Sequence, residues 1–474
     1  MSAVDELAPY VGTRPSRTGD TALETQGMAP IPEDGRYGAL WRMFTVWFTP
    51  NMEISGIFIG TLAPALGLGF GLGLAAIVLG TVIGSLPVAI LCTWGPKTGT
   101  GQLPLARLPF GRGIVLPAAV QWLSTIGWIA LTALFGAQAA HLLFHIPFWA
   151  GALIVLIVEG LISIYGYELV HRVEKWGALL MTALFVVLSV RIFQHHITLP
   201  HDTVTGAGLV GAFVLMVTIA LSGAISWASY ASDYSRYLRP SSSSAGVFGC
   251  TMAGMVLSYV WVMTIGLAAA GVVGTQTAAG VASLMGGGAI SVVALLAIMF
   301  AAIVSSTMDD YSGALALQAF GVRIKRPLIS GAVMVVAFAA IMWIHGGDTS
   351  TRFENVLLFV GYWLSPFCAI VMIDWRRNGR AYRPPSLRSA LAFRNLTSGW
   401  RALVAFVAGF AAMVPFMNTS IVVGPVAGAL HGADIAFYVG FVVTGALYYL
   451  LLRLMPAPSD PLQHASSGGN LRSE

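Results

Sequence analysis

Residues 41–56 read WRMFTVWFTPNMEISG, which sets a proline, an asparagine and an acid in the middle of an apolar stretch long enough to cross a membrane. Pro50 removes a backbone donor and disfavours helix at Thr49, and Gly56 adds flexibility. Glu53 is costly at bilayer depth unless it faces a cavity or a partner. The stretch therefore predicts a broken transmembrane helix, and membrane carriers build their binding sites at such breaks.

Composition agrees with a bilayer setting. The chain is 57% hydrophobic and 9% charged, whereas a soluble globule carries about 25% charged residues. A helical span needs roughly 20 mostly apolar residues. Twelve stretches qualify, near 41–65, 69–94, 114–140, 147–165, 176–194, 207–230, 248–274, 289–320, 328–346, 354–374, 401–417 and 434–454. The fold class is an all-α integral membrane protein.

Lys and Arg segregate to one side of this arrangement. Links between even and following odd spans carry Lys97, Arg107 and Arg112, then Arg172 and Lys175, then Arg236 and Arg239, then Arg323, Lys325 and Arg326. The last such link holds Arg376, Arg377, Arg380, Arg383, Arg388, Arg394 and Arg401, while the opposite links hold Arg191 and Arg352. Positive residues stay cytoplasmic, so both termini are expected inside a multi-pass protein of the cell inner or plasma membrane. The net charge of +5 is then topological and does not indicate nucleic acid. Residues 1–36 lack a basic n-region followed by an apolar run, and read as a disordered cytoplasmic tail, not a cleaved signal. Residues 456–474 read likewise. Between the tails, the expected units are 37–198, 199–376, a cytoplasmic loop at 377–400 and a C-terminal helix pair at 401–455.

Channel, membrane enzyme and secondary carrier are the competing classes. No HExxH, GxSxG or Cys-His set occurs, so no enzyme, metal or cofactor is expected, and no P-loop points to an ATP-driven pump. Cys92, Cys250 and Cys368 lie inside apolar spans as core filler. His195, His196 and His201 have no matching acids and read as solvated loop. A second interruption, SGAISWASY at 222–230, lies five spans after the first. That interval is what an inverted five-helix repeat predicts, with spans 1 and 6 unwound around a midplane site. A tight helix crossing at Gly223 explains the small residues equally well.

Further residues, in order, carry a resemblance. They are Trp47-Phe48 with Asn51; Gly95-Pro96-Lys97 with Gln102, Arg107 and Phe110-Gly111; Gly127-Trp128; and Gly166-Tyr167 with Val170-His171 and Glu174. Next come Trp227, Tyr230 and Ser232-Asp233-Tyr234-Ser235-Arg236-Tyr237-Leu238; Tyr311-Ser312-Gly313-Ala314-Leu315; and Gly361-Tyr362-Trp363. The chain resembles the nucleobase-cation-symport family, in its purine-cytosine permease branch. The resemblance implies a ten-helix inverted-repeat core (spans 1–5 and 6–10, helices 1 and 6 broken) plus two C-terminal helices. It also implies uptake of nucleobases or related small heterocycles driven by a proton or sodium gradient. Allantoin, hydantoin or hydroxymethylpyrimidine carriers are alternatives within the fold, and a passive channel is the alternative outside it.

A planar heteroaromatic is held by stacking on flat side chains while amides and carboxylates read its edge. Trp128 has Ser124 and Thr132 one turn either side, and Trp227 follows the span 6 break. By resemblance these indoles match the family's stacking aromatics, and Ser226 matches a place where exposed backbone meets the ligand. Span 8 aligns Ser305, Ser306, Asp309 and Ser312 on one face. The family often has asparagine at Asp309, and fungal relatives have it at Thr132. An ionised Asp309 only accepts hydrogen bonds, which favours a donor-rich or cationic ligand edge. Burial favours the neutral form of a carboxyl, so Glu53 and Asp309 are candidate proton carriers, with Asp310 as a second choice. The structural reading of Glu53 is that it accepts backbone N–H groups of the unwound segment. Sodium would instead use carbonyl and hydroxyl oxygens of spans 1 and 8; matching the family through Tyr311-Ser312 puts Ile303 and Val304 at its hydroxyl positions, and a slip of two or three residues restores Ser305, Ser306 and Thr307. Glu174, and Asp233 with Arg236, are placed at a cytoplasmic gate or interhelix salt bridge.

Overall fold

The computed structural model describes residues 30–165, 167–194, 197–274, 276–319, 326–379, 382 and 384–455. Residues 1–29 and 456–474, His195, His196 and the side chain of Glu174 lie outside the described residues. Span 1 is α1 (Arg42–Phe48) and α2 (Ile54–Ala65), followed by α3 (Phe70–Cys92), the short α4 (Gln102–Phe110), α5 (Val115–Phe144), α6 (Phe148–Tyr165) and α7 (Tyr167–Gln194). The second half holds α8 (Gly206–Ile225), a 3-10 turn at Ser226–Tyr230, α9 (Ala231–Ser235), α10 (Ser244–Ala268), α11 (Thr277–Leu284), α12 (Gly288–Ala319) and α13 (Arg326–His345). Span 10 is α14 (Thr349–Tyr362) with α15 (Leu364–Asn378), and α16 (Trp400–Met413) and α17 (Ala436–Leu454) follow.

Among the described residues, 8 helices are long and apolar enough to cross a membrane, and shorter apolar helices stand at Ile54–Ala65, Phe148–Ser163, Leu179–Ile192 and Trp400–Phe416. They coincide with the twelve segments the hydropathy pattern predicts. Outward faces carry apolar side chains such as Val335 (71% exposed) and Val442 (65%), as lipid contact requires.

Packing repeats with an offset of five spans. Span 2 lies on span 6 (α3 on α8), and span 7 lies on span 1 (α10 on α1 and α2). Span 3 meets span 9 (α5, α13) as span 8 meets span 4 (α12, α6), and α12 meets α7 as α5 meets α14. Spans 3 and 8, 2 and 7, and 4 and 9 pair with their own counterparts. Two five-span halves related by a two-fold axis in the membrane plane produce this pattern.

Glycines bring the broken helices against their partners. A Cβ on Gly80 would stand 2.2 Å from the Val217 carbonyl oxygen and one on Gly84 2.5 Å from that of Leu221, which closes α3 onto α8. In the other half, Gly266 would strike the Ile57 oxygen at 1.8 Å and Gly60 the Met263 oxygen at 2.0 Å. Small residues allow such close approach in membranes, where van der Waals packing drives association. Gly223 is different: a Cβ there meets nothing nearer than 3.9 Å, so no tight crossing occurs at that position.

Local details differ from the sequence expectation. Thr49 stays helical (φ −62°, ψ −54°), with its N–H bonded to the Thr45 carbonyl, so the break falls after Pro50 instead of before it. The span 6 interruption tightens into a 3-10 turn rather than unwinding. Span 10 turns at Trp363, where Pro366 has no N–H to give to Tyr362. Residues 30–36, set aside as tail, are held down. Ile31 and Arg36 are buried, the Ile31 N–H donates to the Gly99 carbonyl (2.8 Å), and Arg36 donates to the carbonyls of Ile31 (2.9 Å) and Pro96 (2.8 Å). A guanidinium that reaches main-chain oxygens is not a solvated tail residue.

The C-terminal helices dock through Asp434. Its carboxylate accepts the Tyr362 hydroxyl and the backbone N–H groups of Asn418 (2.8 Å) and Ala436 (2.9 Å), and its carbonyl accepts the Thr218 hydroxyl at 2.6 Å. This joint ties α17 to spans 6 and 10.

Candidate substrate and ion site

The two breaks face each other. Glu53 ends the span 1 interruption in extended conformation (φ −134°, ψ 164°) as the residue before α2, yet its side chain caps no backbone N–H. Its carboxylate turns into a small cavity instead, where it accepts the Ser55 hydroxyl at 2.5 Å and that of Thr132 at 3.4 Å, with Ser305 on the same cavity wall. The backbone-capping reading of Glu53 is thereby excluded. Glu53, Trp128, Ser226, Trp227 and Asp309 line the cavity together with Tyr230, Tyr259 and Ser305. Spans 1, 3, 6, 7 and 8 thus all contribute.

Trp227 is held at its edge. Its indole N–H is shared between Asn51 Oδ1 and the Tyr259 hydroxyl, each at 2.9 Å, a three-centre bond. Asn51 is fixed in turn, donating to the Trp47 carbonyl (2.7 Å) and Ser258 Oγ (3.3 Å). Tyr259 donates to the Gly223 carbonyl at 3.0 Å and Ser226 donates to the same oxygen at 2.7 Å. The 3-10 turn leaves that oxygen without its i+4 partner, so two hydroxyls satisfy it. Trp47 packs edge-on against Trp227 (centroids 5.8 Å, 76°). Trp128 enters from α5 with its indole Nε1–H buried and unpaired.

The remaining predicted residues fall elsewhere. Ser124 does not face the cavity: it accepts the Trp363 indole N–H at 2.9 Å and belongs to the contact between spans 3 and 10. Ser312 is buried but off the cavity wall. Asp310 points away from the cavity and accepts the Ser330 hydroxyl of α13 at 2.7 Å. Asp233 accepts the backbone N–H of Gln102 at 2.7 Å and so binds α4 to the end of span 6, and Arg236 lies over the Tyr237 ring (5.2 Å) at the same end. Of the sodium candidates, Thr307 turns its hydroxyl to the Ile303 carbonyl (2.7 Å) and away from the cavity, while Ser305 lines it. Sequence reasoning missed Tyr259, since a tyrosine in an apolar span is common, and Glu159, whose signal was an acid at mid-span.

Known proteins bear on this arrangement. Residues 30–440 match the profile of permeases for cytosine/purines, uracil, thiamine, allantoin. YxlA of Bacillus subtilis is 27% identical over 445 residues, covering 91% of this chain and 96% of that protein. The purine-cytosine permease fcyB of Emericella nidulans is 26% identical, covering 91% and 88%. Among solved structures, Mhp1, a nucleobase-cation-symport-1 family transporter in a closed conformation with bromovinylhydantoin bound, superposes with a TM-score of 0.73 at 16% identity over 93% of this chain and 98% of that one. Ten spans in two inverted halves, two further helices and a polar cavity at the paired breaks are the frame of such a carrier, and with the profile spanning nearly the whole chain, this protein belongs to the family of permeases for cytosine/purines, uracil, thiamine and allantoin.

Proposed function

We propose that this permease imports nucleobases of the cytosine and purine class by proton symport, through alternating access, with both termini on the cytoplasmic side. The observation that carries this reading is a cavity that sets two indoles, Trp128 of span 3 and Trp227 of span 6, beside two carboxyls, Glu53 and Asp309. Flat rings offer their faces to a planar heterocycle and carboxyls offer acceptors to its N–H edge. The unpaired Trp128 N–H is available to a ring carbonyl or ring nitrogen of the ligand. Asn51 and Tyr259 act behind Trp227 by fixing the ring's tilt.

Protons are favoured over sodium by the hydroxyl geometry. Thr307 donates to its own helix and only Ser305 of the segment lines the cavity, so the segment does not present a ring of oxygen ligands there. Among the described residues two carboxyls and no cation line the cavity, which suits proton loading better. Orientation rests on the one-sided Lys and Arg pattern. A second reading, a carrier of an allantoin-like ring or a vitamin precursor, is favoured by Asp309, a carboxyl, and Thr132, a hydroxyl, at positions where the resemblance leads one to expect amides. Binding measurements with cytosine, adenine, uracil, allantoin and thiamine separate the two. Trp227→Ala and Trp128→Ala should each weaken binding of the preferred ligand by about tenfold, since one stacked base contributes about 1–3 kcal/mol. Normal binding by both folded variants would remove the site from the cavity.

A further inference from the structure

A second cavity lies between α4 and α15, at the membrane face to which the Lys and Arg pattern assigns the cytoplasm. Trp94, Gln102, Asp374, Trp375 and Tyr382 supply its aromatic and polar wall. The two cavities have no described lining residue in common, yet span 6 joins them. Tyr230 lines the first, and Ser232, two residues on, directs its hydroxyl at Gln102 Oε1 (2.8 Å) and the Leu91 carbonyl (3.0 Å). Asp233 accepts the Gln102 backbone N–H at 2.7 Å, so this glutamine is fixed at both ends. Its side chain is fully buried, and Nε2 has no hydrogen-bond partner among the described residues. A buried amide donor is expensive to leave unmade.

The rest of the wall supplies flat faces and an acceptor. Trp94 and Trp375 stack face to face (centroids 4.4 Å, 9°), and the Tyr382 ring stands against Trp375 at 5.9 Å and 59°. Asp374 accepts the Tyr382 hydroxyl at 2.5 Å and the Asn378 side-chain amide at 3.1 Å. Tyr382 therefore places a flat six-membered ring beside an indole and gives one donor to a carboxylate. A nucleobase has the same outline, a planar ring with an N–H donor, and adds a carbonyl that a phenol lacks. Gln102 Nε2 is the donor the phenol leaves unused. The space beside the phenol is water-sized, so the phenol and a ligand ring exclude each other. The loop has other anchors: Leu387 and Leu391 pack with Tyr382 on Leu108 and Trp375, and Arg107 donates to the Leu391 carbonyl at 2.8 Å. The Tyr382 side chain can thus turn away while the loop stays docked.

We propose that this cavity is a second binding site for the transported heterocycle, on its way out to the cytoplasm, and that Tyr382 is the chain's own stand-in for the ligand there. When the phenol withdraws, Asp374 takes a ring N–H and Gln102 Nε2 a ring carbonyl, beside the Trp94–Trp375 stack. The inference rests on the heterocycle reading above, and it makes release a competition between the ligand and a side chain of the loop after span 10.

Equilibrium binding of radiolabelled cytosine to the full-length protein in detergent counts the sites. The wild type should bind close to one cytosine per chain, because Tyr382 fills the second site, and Tyr382→Ala should bind two. Adding Gln102→Ala to Tyr382→Ala should bring the count back to one. A folded Tyr382→Ala that still binds one overturns the inference. If Tyr382→Ala does not fold, Tyr382→Phe keeps the ring and removes only its bond to Asp374. The cytosine concentration that half-saturates uptake into inside-out vesicles, which present the cytoplasmic face, should then fall by about tenfold, as expected for one competing hydrogen bond to a carboxylate. An unmoved value overturns the inference as well. A wild type that binds no cytosine sinks the heterocycle reading itself, whereas a wild type and a Tyr382→Ala that each bind one sink only the second site.

Discussion

Glu53 and Asp434 both stand where a helix is about to begin, Glu53 half-buried at the cavity and Asp434 fully buried, and they are satisfied in opposite ways. Asp434 takes two backbone N–H groups and a phenol, donors that cannot leave without unfolding a turn. Glu53 ignores the N–H groups of α2 and accepts side-chain hydroxyls from Ser55 and Thr132, which belong to two different spans. A third acid, Asp348, caps α14 at an exposed edge, accepting the Ser350 N–H at 3.1 Å and the Thr351 hydroxyl. Those donors hold its carboxyl below the usual range, the Thr351 hydroxyl foremost. The same residue chemistry thus makes a buried joint, a cavity acid held by side chains alone and an exposed cap, according to which donors it takes and how far it is from the surface.

The comparison breaks most visibly if Glu53→Gln still accumulates substrate under an imposed pH gradient. The expected outcome is loss of gradient-driven accumulation, with exchange of ligand across the membrane preserved, because exchange moves no net proton. Accumulation by the wild type under a sodium gradient alone, indifferent to pH, would return Ser305 to Thr307 as cation ligands. Asp434→Ala comes next: stranding two buried N–H groups and a phenol should cost about 3 kcal/mol or more, read as a lowered thermal midpoint in detergent. Glu53→Gln should leave that midpoint nearly unmoved. The smallest effect is expected at Asp348→Ala, about 0.5–1 kcal/mol for a lost cap in solvent. Because the folded-state pKa is depressed, its contribution is present at neutral pH and fades as pH falls through the carboxylate range. A scan of thermal midpoint against pH should show the two proteins converging in acid.

Breaks were legible where residues of the wrong chemistry stand in apolar surroundings. Pro50, Asn51 and Glu53 announce themselves against Trp47, Phe48 and Ile54, and the Lys and Arg pattern agrees with the number of spans. Spacing was less informative. Ser124 and Thr132 flank Trp128 by one turn each, but α5 meets several helices along its length, so one flank reaches Glu53 and the other is taken by Trp363 of span 10. Ser226 was marked by the resemblance, but Tyr259 could not be singled out, since tyrosine is ordinary in membrane helices; what brings the two together is a carbonyl freed by a 3-10 turn that forms only in the folded chain. Asp434 opens the last apolar stretch, 434–454, with nothing near it in sequence to mark it as a joint. Glu159 is a lone acid at mid-span, and nothing nearby in sequence pairs with it.

The glycine crossings have a mechanical consequence. A joint with side chains between its surfaces can creep, because exposed rotamers re-sort within nanoseconds, whereas main chain pressed on main chain has nothing to re-sort. Gly60 and Gly266 clamp span 1 to span 7, and Gly80 and Gly84 clamp span 2 to span 6, so each pair slides or tilts as one stiff bar. The breaks that interrupt these bars, after Pro50 as far as Glu53 and from Ser226 to Tyr230, are also the segments that touch the cavity, so a ligand seated there meets the stiff pairs at the points where they are jointed.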